Sequence, residues 1–200
     1  MTDRNPDLYG SIPDNSRVAL ILIDVINDME FDDGPELLET ALPAARAIAE
    51  LKRRAREAEI PVIYANDNFG RWRSDFNHTV AHCLEDGVRG EELARLLKPE
   101  RKDYFILKPK HSGFYETSLR ILLEYLASRT LILTGFTGDI CVMFTAKDAY
   151  MGDYRLVIPS DCVASVSPEQ NRFALDYMQR VLKADVLPST EIDFDALLQK

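Results

Sequence analysis

Cysteine is scarce in this chain of 200 residues: there are three, an odd number and too few for a disulfide framework. Histidine is equally scarce, also three, which leaves little room for histidine-based catalysis or a histidine-rich metal site. No long hydrophobic run occurs. The longest, Val18 to Ile23, is stopped by Asp24, far short of the roughly 20 residues that span a bilayer. The N-terminus has no basic stretch followed by an apolar one, so no signal peptide is expected. Bases are also in deficit, with 24 Lys and Arg against 33 Asp and Glu and a net charge of −9. That balance disfavours nucleic acid, whose phosphates demand clustered cations.

What is present fits a globular protein. Hydrophobic residues make up 46% and charged residues 28%, which excludes disorder for the bulk of the chain. The length suits one domain, 1–200. A soluble, cytoplasmic protein with free thiols is the expectation, and neither a membrane nor a nucleic acid is an expected partner.

Six runs rich in β-branched residues alternate with helical stretches. The strand candidates are Arg17 to Ile26, Ile60 to Asp67, Tyr104 to Lys108, Thr130 to Phe136, Tyr154 to Pro159 and a weaker Ala184 to Leu187. Their apolar character is continuous rather than alternating, as in parallel strands covered on both faces. Helical periodicity marks Pro35 to Glu57, Gly90 to Leu97, Thr117 to Leu126, Ile140 to Met151 and Pro168 to Leu182. Lys52, Arg53, Arg54 and Arg56 fall late in the first of these, where cations suit the helix dipole. The alternation predicts an α/β three-layer sandwich. Its six-stranded parallel sheet has order 3-2-1-4-5-6, with helices on both faces. In such a sheet the ligand crevice lies outside the carboxyl ends of the strands, where strand order reverses. Chemistry is therefore sought after Ile23, after Leu107 and after Phe136.

Three residues stand there. Asp24 interrupts the first strand at its carboxyl end, between Ile23 and Val25; a carboxylate there is a site acid or a turn acid, Asn27 and Asp28 being able to serve the turn equally well. Lys108 ends the third strand, held extended by Pro109; it is a surface lysine or a functional one, with Lys110 as competitor. Cys141 follows Thr-Gly-Phe-Thr-Gly-Asp-Ile, passing from strand to helix. A thiol at a helix start is expected to have a lowered pKa, and the nearby N–H groups can stabilise an oxyanion. The plainer reading is a buried structural cysteine. Together, an acid, a base and a thiol on one sheet edge suggest nucleophilic chemistry in which a carboxylate takes the thiol proton. No histidine is needed, and only His111 lies near a predicted strand end.

These segments resemble the isochorismatase-like cysteine hydrolases, which include nicotinamidases, carbamoylsarcosine amidases and ureidoacrylate-type amidases. The resemblance runs from about Val18 to Val186. Val-Ala-Leu-Ile-Leu-Ile-Asp-Val-Ile-Asn-Asp resembles the family's opening strand, whose acid is the catalytic base. Leu-Lys-Pro-Lys-His-Ser-Gly-Phe resembles its lysine motif, whose spacing selects Lys108 over Lys110. Thr-Gly-Phe-Thr-Gly-Asp-Ile-Cys-Val-Met-Phe-Thr-Ala-Lys-Asp-Ala-Tyr resembles the nucleophile segment. The resemblance implies a catalytic set of Asp24, Lys108 and Cys141. It also implies a cis peptide at Phe136–Thr137, an oxyanion hole from the Thr137 and Cys141 N–H groups, and hydrolysis of a small amide or ureido substrate through a thioester. Dimers or tetramers are common in the family, so a homo-oligomer is implied too.

Departures narrow that reading. The nicotinamidase metal site uses Asp-x-His after the second strand and a later His-Cys pair. Here Asp67 is present, Phe69 replaces the histidine, and His82-Cys83 resembles the later pair. One acid and one imidazole make a poor transition-metal site, even with His78 and His82 sharing a helical face, so no metal or other cofactor is expected. Phe69, Arg71, Trp72 and Arg73 occupy the loop instead. The arginines are candidates to clamp a carboxylate-bearing substrate, or else pair with surface acids. Cys83 and Cys162 are read as packing residues. A nicotinamidase-like enzyme with a modified metal site and a catalytically silent binding homologue are the competing functions.

Overall fold

The computed structural model describes residues 15–69 and 75–199. In chain order the elements are β1 (Val18–Ile23), α1 (Gly34–Glu57), β2 (Val62–Asp67), α2 (Phe76–Glu85), α3 (Glu91–Leu96), β3 (Tyr104–Lys108), α4 (Leu119–Tyr125) and β4 (Thr130–Phe136). A π-helical turn (Gly138–Val142) leads into α5 (Met143–Met151), followed by β5 (Arg155–Pro159), β6 (Val163–Ala164), α6 (Pro168–Leu182), β7 (Asp185–Leu187), a 3₁₀ turn (Ser189–Glu191) and α7 (Phe194–Leu198).

All strand pairs are parallel, and the main order is β3-β2-β1-β4-β5-β7, with β6 pairing β4. The expected order holds, but the strand count does not. Seven strands form the sheet rather than six, because the two-residue β6 adds to the end of β4. A pair this short carries no periodicity to read in sequence. The sixth expected strand is β7.

The unbroken apolar run of β1 follows from burial on both faces. Val18, Leu20 and Leu22 belong to one core with α1, α2, α3 and α7, while Ala19, Ile21 and Ile23 belong to a second core with α4, α5 and α6. Helix α1 buries a stripe of Leu37, Ala41, Ala44, Ala45, Ile48, Leu51 and Ala55 at the helical period. Lys52 departs from its expected role in that helix. It is buried, and its ammonium donates to the Tyr64 hydroxyl (2.8 Å) and the Lys98 carbonyl (2.7 Å). Helix α6 starts at a capping box between Ser167 and Gln170, with Pro168 in its first turn. Among the described residues no helix is long and apolar enough to cross a membrane.

The strand order reverses between β1 and β4, whose backbones pair through Ile23 and Gly135. Gly135 has φ +120°, and a Cβ there would lie 2.0 Å from the Ile23 carbonyl oxygen. Only glycine permits this approach. Gly135→Ala should therefore cost about 3 kcal/mol or more of stability in urea unfolding. A loss under about 1 kcal/mol, the scale of an unstrained glycine change, would mean that the strand ends relax apart freely.

Candidate active site

Asp24, Lys108 and the segment before Cys141 all leave carboxyl ends of strands, on the edge where order reverses. Asp24 follows Ile23 directly and has φ 53°, left-handed backbone that ends β1 and turns the side chain onto the edge. The expected strand to Ile26 stops there for that reason. Its N–H still continues the ladder to the Ala65 carbonyl (3.1 Å). Beyond it, the buried Asn66 side chain accepts from the Ile26 N–H (3.1 Å) and donates to the Ile26 carbonyl (2.9 Å), pinning the outgoing chain to β2.

Lys108 stands two strands from β1, with β2 between. Strands lie about 4.8 Å apart, so about 10 Å separates the two backbones. A lysine stem and an aspartate together cover that gap. The Lys108 side chain is fully buried, and its Nζ lies 2.8 Å from Asp24 Oδ2, 3.5 Å from Asp67 Oδ2 and 3.6 Å from Cys141 Sγ. It also donates to the Lys110 carbonyl (3.1 Å). Lys110 itself is exposed. Of the two lysines, Lys108 enters the cluster, and Lys110 contributes its backbone carbonyl.

Asp24 is nearly as buried, at 6% exposure. Its other oxygen accepts the Asp67 N–H at 2.6 Å. Burial pushes its carboxyl above the usual carboxylate range, opposed by the Lys108 ammonium and by hydrogen bonds from Cys141, Lys108 and the Asp67 backbone. Burial is the largest influence on the Lys108 ammonium and disfavours it, but Asp24, Cys141 and Asp67 together outweigh burial and hold the lysine above its ordinary value.

Cys141 is half-buried on the π-helical turn, one residue after the exposed Ile140. Its thiol is pushed up, not down as a helix start implies; burial comes first and the Asp24 charge second, and together they exceed the Lys108 contribution. The α-helix proper begins only at Met143, and a short π-turn offers little dipole to offset desolvation. Burial and the Asp24 charge thus favour the neutral thiol, and the Lys108 ammonium opposes them. The Phe136–Thr137 peptide is cis, and the Thr137 carbonyl accepts from the Val142 N–H (3.1 Å), folding the turn onto the end of β4.

Cys83 and Cys162 are buried in the core on the α1 face. Phe69 is half-exposed, has φ 52°, and donates its N–H to Asp67 Oδ1 (2.6 Å). Arg71, Trp72 and Arg73 lie outside the described residues. The remaining donors do not fit a metal ion. Asp67 is engaged with the Phe69 N–H and faces the Lys108 ammonium, while the two His82 ring nitrogens face Asp86 and Asp28. Among the described residues no group of three or more His, Cys, Asp or Glu is arranged to hold a metal ion. The sequence reading passed over Asn66. Its signal was an amide inside an otherwise apolar strand, a position that requires internal hydrogen bonds.

The chain resembles known proteins in sequence and fold. The model of the isochorismatase domain matches residues 18–191. An uncharacterized isochorismatase family protein, YaaI of Bacillus subtilis (strain 168), is 44% identical over 174 residues, covering 87% of this chain and 95% of that one. The N-carbamoylsarcosine amidase of Thermoplasma acidophilum superposes with a TM-score of 0.65 at 32% identity, over 88% of this chain and 99% of its own. The pyrazinamidase/nicotinamidase of Streptococcus mutans UA159 gives 0.66 at 29% identity, over 85% and 99%.

Proposed function

The chain belongs to the isochorismatase family, and on that premise we propose that it is a cysteine-dependent amidohydrolase of a small amide or ureido substrate. The observation that carries this reading is the single buried ammonium of Lys108, 2.8 Å from the Asp24 carboxylate and 3.6 Å from the Cys141 sulfur. A structural salt bridge has no use for a thiol at that point, whereas a thiolate in waiting needs a base and a cation beside it.

In the proposed cycle the Cys141 proton passes to Asp24 as sulfur attacks the substrate carbonyl. The raised carboxyl makes Asp24 the stronger base for that transfer, and Lys108 balances the charge left on sulfur. The carbonyl π electrons move to oxygen, where the Thr137 and Cys141 N–H groups are the proposed donors. The intermediate collapses with cleavage of the C–N bond; Asp24 returns the proton to nitrogen, and ammonia or an amine departs. Water then gives a proton to Asp24 as its oxygen bonds the thioester carbon. The C–S bond breaks, and the thiol is reprotonated. No step passes through a metal. Arg71 and Arg73, flanking Trp72, remain the proposed clamp for a substrate carboxylate.

Support for the substrate class comes from two structural relatives named for amide or carbamoyl cleavage. The test is an ammonia-release screen over small amides, carbamoyl amino acids and ureido acids, coupled to rapid-quench mass spectrometry. The expected result is turnover of a member of that set with an acyl adduct on Cys141. Turnover with no adduct on Cys141 under quench would overturn the cysteine mechanism, and turnover only after metal addition would favour the modified nicotinamidase.

A further inference from the structure

The nucleophile segment contains Thr145, and the lysine segment contains Ser112 and Gly113; the proposed cycle uses none of them. Thr145 lies on α5 and is fully buried. Its hydroxyl accepts a hydrogen bond from the Gly113 N–H (3.0 Å) and donates one to the Cys141 carbonyl (2.7 Å). One oxygen thus joins the loop after Lys108 to the turn that carries the thiol. A valine of the same shape can do neither.

The loop needs such a tie. Residues 109–118 contain no helix or strand, yet the Lys110 carbonyl within them is one of the groups that fix the Lys108 ammonium. Two bonds fasten the loop to α5: Gly113 to Thr145, and the Ser112 hydroxyl to Asp148 (2.6 Å). The loop packs closely at Gly113, where a Cβ would lie 3.2 Å from a Leu119 methyl, 3.4 Å from the Ala65 Cβ and 3.5 Å from the Thr145 methyl. The Thr145 hydroxyl also takes the Cys141 carbonyl four residues back, where a helix interior gains little from a threonine. The ammonium and the sulfur are delivered by different strands and meet at 3.6 Å, and the link joins the segments that follow those strands.

We propose that Thr145 is a positioning residue that sets Lys108 and Cys141 in register by holding, through one hydroxyl, the Cys141 carbonyl and the Gly113 N–H of the loop that follows Lys108, with Ser112 and Asp148 as the second fastening of the same loop. The inference rests on the reading of Cys141 as nucleophile and Lys108 as its cationic neighbour. Without the link, the ammonium loses its fixed approach to sulfur, and with it the influence that favours the thiolate.

The probe is iodoacetamide, followed by peptide mass spectrometry at each cysteine, in wild type, Thr145→Val, Thr145→Ser and Ser112→Ala. Thr145→Val should slow alkylation of Cys141 about 10-fold near neutral pH, the change in thiolate that accompanies one pKa unit. Thr145→Ser, which keeps the hydroxyl, should restore the wild-type rate. A merely structural role predicts the opposite sign: a loosened fold exposes Cys141, Cys83 and Cys162 alike and speeds alkylation. An unchanged or faster rate at Cys141 in Thr145→Val overturns the proposal. Where that variant does not fold, Ser112→Ala decides by the same sign. Alkylation requires no substrate, so a result against Thr145 leaves the amidase reading standing. A wild-type enzyme that forms no acyl adduct sinks that reading by a separate measurement.

Discussion

Cys141→Ala should abolish substrate turnover, lowering kcat by on the order of 10⁴ or more, the scale on which loss of a covalent nucleophile is felt. The same change should leave the fold in place. The thiol is half-buried, and its polar partners are Asp24 and Lys108, which keep each other at 2.8 Å when the sulfur is gone. A stability change within about 1 kcal/mol is therefore expected, as for a small truncation without an orphaned charge. Thermal melting and ammonia release on the same preparation separate the two effects. Cys141→Ser sharpens the test. Its hydroxyl can keep the hydrogen bond to Asp24 but gives up the ease with which a thiol becomes an anion, so turnover should remain far below wild type. Retention of even a tenth of wild-type kcat in Cys141→Ala would remove the nucleophile from this residue.

The sequence made the site legible because sheet physics does most of the placing. Once strands end at Asp24, Lys108 and Phe136, a parallel sheet has to bring those ends to one edge. What remained hidden involves reach, backbone groups and desolvation. Nothing in the string shows that Lys108 crosses β2 to Asp24 or that the second Asp24 oxygen is held by a main-chain N–H of Asp67. A helix start is visible in the string, whereas the burial that raises the Cys141 thiol is not. Short elements also escaped: β6 has two residues and α7 five, less than one clear period of any pattern. Helix α2 was seen only as a spacing between His78 and His82, although Asp75 caps it by accepting the His78 N–H.

Lys108→Met should be the more damaging substitution overall, because it removes function and stability together. The methionine fills the space of the stem but leaves Asp24 buried with no cation, and an unpaired buried charge costs about 3–5 kcal/mol. Activity should fall about 10²–10³-fold or more, since the charge that balances sulfur is lost. The stability deficit also has a predictable pH dependence. Burial already raises the Asp24 carboxyl, and the Lys108 charge is the largest influence against it; without the lysine the carboxyl rises further. A carboxyl with a folded pKa above its unfolded value folds best when protonated. Its stability is fully present below the unfolded value and is lost as pH climbs through the folded one. The deficit of Lys108→Met relative to wild type should therefore be small near about pH 4 and widen toward about pH 8. Urea unfolding at the two ends measures it. Adding Asp24→Asn to Lys108→Met removes the orphaned charge, so the double variant should regain stability at the high-pH end while remaining inactive. A deficit independent of pH, or a double variant no more stable than Lys108→Met alone, would show that Asp24 is not the charge that Lys108 neutralises. Recovery of stability without activity would separate the pair's two duties: neutralising each other in the folded protein, and serving the thiol during turnover.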